Sequence, residues 1–226
     1  MRISHTHSFI FFSNPKTGSE SVRALLDPYS DIAGIPLWEC TPEFPFYSHI
    51  RPVEVREIFR ARGWDFERYY RFTFVRNPWA RLVSLYHMIH PVPAGSALRR
   101  ALEAARGHPS VRGFRRWIRG VRADGPGAGG PPDQRWMRYG SYSIRSYAGD
   151  RDGQLLVDRV IKLEEIDTAI PHVFEEIGLP PIENGVPRVN VRTHRSYTEY
   201  YDDATRTQVE SMYAYDIAQY GYVFGE

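Results

Sequence analysis

The sequence predicts an α/β fold with a short, mainly parallel central sheet flanked by helices. Three observations carry that prediction. Residues 8–13 (SFIFFS) form a nearly continuous apolar run, the pattern of a parallel strand covered on both faces. Residues 70–75 (YRFTFV) form a second run, rich in β-branched and aromatic side chains. Each run is followed by Asn-Pro and then by apolar residues at helical spacing: Val22, Leu25 and Leu26 after the first, and Leu82, Leu85, Tyr86 and Ile89 after the second. Repeated strand–turn–helix units build parallel sheets whose ligands bind at the carboxyl ends of the strands.

Composition sets the outer bounds. A chain of 226 residues is read as one domain over 1–226, large enough to bury a core. Its hydrophobic (42%) and charged (25%) fractions are those of a soluble globular chain, and a net charge of +2 argues against wholesale nucleic-acid binding. The basic residues are 27 Arg against 2 Lys, which is read as genome composition and draws attention to Lys16 and Lys162. Cys40 has no partner cysteine, so no internal disulfide can form and a reducing compartment is favoured. No run approaches the ~20 apolar residues of a membrane span. The apolar part of MRISHTHSFIFF is short and runs into a turn, unlike a signal sequence, so a complete chain is expected to be cytoplasmic and bacterial.

Taken in order, the first unit ends near Asp27. Residues 28–48, rich in Pro and aromatic residues without clear period, are expected to be a surface loop able to wall a site. Arg51-Pro52 opens a helix that Gly63 ends. After the second unit, residues 97–106 and 110–121 read as helices, the second strongly basic. Residues 124–133 (DGPGAGGPPD) read as a flexible loop, either a disordered tip or a lid. Residues 136–147 stay ambiguous. Residues 159–163 read as a third strand, 164–177 as a helix interrupted near Pro171, and 180–195 as a second long loop. Asp202 or Asp203 is expected to cap the last long helix, whose core stripe is Val209, Met212, Tyr213, Ile217 and Tyr220, with Gly221 as its stop.

The first turn is an anion site on its own chemistry. Lys16, Thr17, Gly18 and Ser19 sit where free backbone N–H groups and the positive end of a helix dipole converge. It is not a Walker A loop, because the lysine precedes Gly18 and no glycine lies upstream in the turn. The second turn offers Arg76 at the strand end, with Arg81 and Ser84 one helical turn apart on the following helix. An arginine fork beside a hydroxyl suits a phosphate monoester. The same residues equally suit a structural arginine paired with a carboxylate and a serine bonded to its own turn.

NPKTGSES followed by FVRNPWARLVSLYH resembles the sulfotransferases that use 3′-phosphoadenosine 5′-phosphosulfate (PAPS), in particular the carbohydrate sulfotransferase (family 2) branch. The ending, YTEYYDDATRTQVESMYAYDIAQYGYVF, resembles that branch as well, while residues 91–147 match little. The resemblance implies a P-loop-like three-layer fold and transfer of a sulfuryl group from PAPS to a hydroxyl acceptor, a saccharide or other small metabolite, with no metal required. It implies that Lys16, Thr17, Gly18, Ser19, Glu20 and Ser21 hold the 5′-phosphosulfate and that Arg76 and Ser84 hold the 3′-phosphate. Pro78, Arg81 and Tyr86 complete the second block. Arg192, Arg195 and Ser196, with His194, lie where the family often brings basic and hydroxyl groups to the nucleotide.

His49, in FPFYSHIRP, is the candidate base for the acceptor proton. Its surroundings resemble the F-Y-x-x-H stretch of uronyl 2-O-sulfotransferases, with one residue fewer between Tyr and His. Two positions depart from the family pattern. Glu20 stands where Thr or Ser is frequent and is expected to close a capping box with Thr17. Asn77 stands where Asp is common. Glu164 is expected to begin its helix rather than face the acceptor, and Trp38, Trp79, Trp117 and Trp136 are expected to pack rather than stack on sugars. Two other readings stay open: a small-molecule kinase, which the missing Walker A opposes, and a non-catalytic nucleotide-binding protein.

Overall fold

A computed structural model describes residues 1–90, 110–122, 140–187, 189 and 195–226. The predicted helix over 97–106, the loop over 124–133, Trp136, Arg192 and His194 lie outside the described residues.

Five strands form one sheet: β1 (Arg2–Ser4), β2 (Phe9–Phe12), β3 (Ile32–Ala33), β4 (Tyr70–Val75) and β5 (Arg159–Lys162), in the order β3-β1-β2-β4-β5. β2, β4 and β5 pair in parallel, Phe12 opposite Thr73 and Phe74 opposite Ile161. β1 is antiparallel to both β2 and β3, so it alone runs against the other four. The sheet is therefore mainly parallel, as the two strand–turn–helix units require.

Among the described residues the α-helices are α1 (Ser19–Leu26), α2 (Pro52–Ala61), α3 (Pro78–Ile89), α4 (Val111–Ile118), α5 (Ile144–Ala148), α6 (Ile166–Glu176), α7 (Asp203–Met212) and α8 (Ala214–Tyr220). Strand alternation assigns the layers. Phe9, Phe11, Phe72 and Phe74 face Val22 and Leu26 of α1 and Ile166, Ile170 and Val173 of α6. Ile10, Phe12 and Val75 face the larger core built with α2, α3, α4 and α5. The FIFF run is apolar throughout because both faces of β2 are covered.

Residues 28–48 are not merely a surface loop. Ile32–Ala33 joins the sheet beside β1, Ile35 forms a parallel bridge to Tyr47, and Phe46 and Tyr47 are buried. A two-residue strand is too short to leave a period, which is why sequence pattern missed it. Gly34 is needed there, because a Cβ would lie 2.9 Å from the Ser48 backbone. The last long helix breaks at Tyr213 into α7 and α8. Asp202 caps α7, and Gly221, at φ 64, stops α8. Among the described residues no helix is long and apolar enough to cross a membrane.

Candidate active site

The β2–α1 turn wraps through two left-handed residues, Lys16 (φ 64) and Gly18 (φ 72). Such a conformation is uncommon for a side chain like that of lysine. Gly18 is favoured there twice over: its φ is one that L side chains rarely adopt, and a Cβ would come 2.4 Å from Leu163 Cδ1, which would have to move. Gly18 is the N-cap of α1, and no side chain caps the helix. The capping box expected from Thr17 and Glu20 is thus absent. The Thr17 hydroxyl instead donates back to the Asn14 carbonyl at 2.8 Å, and exposed Glu20 lies 3.6 Å from Arg23. Thr17 is buried, with its hydroxyl turned into the loop.

The turn is held from behind. Asn14 Nδ2 donates to the Phe74 carbonyl at 3.0 Å, carrying the β2–β4 pairing past the end of the ladder, and Thr73 Oγ1 donates to the Phe12 carbonyl at 2.7 Å. Arg81, on α3, donates from Nε to the Pro15 carbonyl (3.1 Å) and from Nη2 to Asn14 Oδ1 (2.8 Å). Ser19 and Ser21 are nearly buried in the first turn of α1, and the backbone N–H of Val189 donates to Ser21 Oγ at 3.2 Å. Val189, in the long stretch after α6, therefore lies against the start of α1.

Arg76 leaves the end of β4 and donates from Nη1 to the Lys16 carbonyl at 3.4 Å, so the two sequence-predicted sites open onto one another. Burial pulls its pKa down from the ordinary arginine range, and the carboxylate of Glu164 opposes that. Glu164 does not begin α6, which starts at Ile166. It lies in the 3₁₀ turn Leu163–Glu165, accepts the Asn77 N–H at 2.9 Å and accepts the Tyr222 hydroxyl at 3.3 Å. Asn77 caps α3 by accepting from Ala80 N at 3.2 Å, and its amide donates to the Val223 carbonyl at 3.3 Å. An aspartate there would keep the cap and lose that donor.

Ser84 sits half-buried on α3, two turns beyond Arg76. Arg195 and Ser196 are exposed and engaged within their own turn, Arg195 with Glu199 at 3.8 Å and Ser196 with Thr198 at 2.8 Å. Trp79 is core, Trp117 is half-buried against the larger core, and Trp38 stands 67% exposed.

His49 reaches the same end of the sheet. Its Nδ1 donates to the Ser13 carbonyl at 2.7 Å, directly before the Lys16 turn, and this fixes the proton on Nδ1 and leaves Nε2 as the basic nitrogen. Burial holds its pKa down at about 3, with the positive charges of the amino terminus, Arg23 and Lys16 adding to burial against the Ser13 bond. Ser13 Oγ is itself buried with no hydrogen-bond partner among the described residues.

The model of the sulfotransferase family matches residues 1–223. The chain belongs to that family. Neither a curated protein nor a solved structure matches it. Membership assigns sulfuryl transfer as the general activity and accounts for the P-loop-like three-layer architecture around the Lys16 turn. The supporting roles that sequence reasoning does not assign are those of Asn14, Arg81 and Glu164. Arg81 was visible only as a member of the second block, and nothing in its spacing showed that it points back to the first.

Proposed function

We propose that this sulfotransferase, acting as a single domain, moves a sulfuryl group from PAPS to the hydroxyl of a saccharide or other small metabolite. The observation that carries this reading is the junction of the Lys16 turn and Arg76 at the ends of adjacent parallel strands. A nucleotide phosphorylated at both its 5′ and 3′ positions needs two cationic sites on one side of a sheet. The residues present fit it: an α1 N-terminus without a side-chain cap, the Lys16 ammonium, the Ser19 and Ser21 hydroxyls, and the Arg76 fork with Ser84. Glu20 contributes through its backbone N–H, with its carboxylate turned to Arg23. Arg192, Arg195 and Ser196 of the late loop are assigned to the nucleotide by the resemblance alone; for Arg195 and Ser196 this requires exchanging their contacts with Glu199 and Thr198.

Lys16 stabilises the charge that gathers on the bridging oxygen and the departing phosphate. His49 Nε2 takes the acceptor proton as the acceptor oxygen bonds to sulfur and the sulfur–phosphate oxygen bond breaks in line. The Ser13 carbonyl keeps His49 in the required tautomer. Bound, the multiply negative donor offsets the Lys16 and Arg23 charges and makes His49 a stronger base than in the free protein.

The test is transfer of label from ³⁵S-PAPS to a panel of hydroxylated saccharides and metabolites. His49→Ala is expected to lower turnover by ~10²–10⁴-fold. A base works only when unprotonated, so activity falls as pH drops through its pKa. With the free-protein value held at about 3, the acidic limb of kcat/KM for the donor is expected well below pH 6.5. An unaffected His49→Ala variant, or transfer of phosphate from ATP in place of sulfate, would remove the proposal.

A further inference from the structure

We propose that Arg81 is a positioning residue for the Lys16 turn rather than a ligand of the 3′-phosphate, an inference that rests on the PAPS reading above. Arg81 and Arg76 leave the same turn five residues apart and finish in different places. Arg76 is only half-buried, whereas Arg81 is 2% exposed, too covered to meet a ligand without rearrangement. Its guanidinium is directed at backbone. Nε donates to the carbonyl of Pro15, the residue before Lys16, and Nη2 donates to the Asn14 side chain. Nη1 donates to the Tyr142 carbonyl at 2.7 Å.

That last bond ties the loop to a second fixed body. The residues around Tyr142 are gripped from the C-terminal helices: the Tyr213 hydroxyl donates to the Ser141 carbonyl, and the Asp216 carboxylate accepts the Ile144 N–H at 3.0 Å. The Lys16 turn is therefore braced across the molecule, through Arg81, against α8 and the start of α5. The turn needs such a brace, because a lysine at φ 64 persists only where its surroundings over-determine it. A planar fork reaches several acceptors at once, and a lysine ammonium in its place cannot reproduce that geometry.

The experiment compares the full-length wild type, Arg81→Lys and Arg76→Ala by two readouts. One is the calorimetric affinity ratio of 3′,5′-adenosine bisphosphate to 5′-AMP. The other is donor turnover to an accepted hydroxyl compound or to water. Arg81→Lys is expected to lose ~100-fold in kcat, the scale of an ångström-size misplacement, while the affinity ratio stays at its wild-type value. Loss of the ratio, as expected for Arg76→Ala, would make Arg81 a 3′-phosphate ligand and overturn the proposal. Unchanged kcat with a lowered Tm would also overturn it, leaving only a structural role. Should Arg81→Lys fail to fold, Asn14→Ala removes one of the fork's acceptors and keeps the arginine. It is expected to show the same pattern with a loss of ~10-fold, and an unchanged kcat there counts against the brace. A wild type that is indifferent to the 3′-phosphate fails the donor reading instead, and does so before any variant is compared.

Discussion

The two Asn-Pro turns begin alike and end as opposites. After β2, Asn14 turns its side chain back to the β4 backbone and to Arg81, Gly18 takes the N-cap position, and α1 starts without a side-chain cap. After β4, Asn77 itself caps α3, and its backbone N–H is taken by Glu164. In the proposed reading the first helix start is an anion cradle made of backbone. The second is capped by Asn77, so the proposed anion binding there falls to side chains, Arg76 and Ser84. The same punctuation produces either outcome according to where the glycine falls, because a glycine at the N-cap has no side chain with which to cap the helix.

Variants can break this contrast, and the largest effect is expected at the open turn. Lys16→Met removes the charge beside the transferring group and is expected to lower kcat by ~10³-fold, with a smaller change in nucleotide affinity. Equal losses in kcat and affinity would make Lys16 a binding residue alone. Gly18→Ala comes next. It combines a positive φ with a Cβ driven toward Leu163, so it is expected to shift the turn and cost ~10²-fold in turnover, measured on protein whose circular dichroism is unchanged. The smallest effect is expected at the capped turn. Asn77→Ala deletes a helix cap and is expected to lower unfolding free energy by ~1 kcal/mol in denaturant titration, with the preference for the 3′-phosphate retained. If Asn77→Ala abolished that preference instead, the second turn would be an anion cradle like the first, and the contrast would be lost.

Most of the parallel half of the sheet was legible in the sequence, because β2, β4 and their helices carry long periodic signals. β1 and β3 were not. At three and two residues they leave no period, and they join the sheet through tertiary pairing that local pattern does not encode. The site divides in the same way. Lys16, Gly18, Arg76 and His49 could be named because their residue types and motif positions point to chemistry. The groups that hold them could not. Glu164 reads as a helix start until its carboxylate is seen on the Asn77 N–H, 87 residues earlier in the chain. Arg81 reads as part of one block until its fork is found on the carbonyl of another. Long-range side-chain to backbone bonds leave no spacing behind them, so a bracing residue stays hidden where a ligand residue shows.

The claim that both turns grip one doubly phosphorylated carrier is tested most directly by calorimetric titration of the wild type and Arg76→Ala with 3′,5′-adenosine bisphosphate, 5′-AMP and ATP. The wild type is expected to bind the bisphosphate more tightly than either competitor. Arg76→Ala is expected to lose ~10–100-fold of that advantage, the worth of a charge-assisted contact to one phosphate. Equal wild-type affinity for the bisphosphate and 5′-AMP would contradict the account.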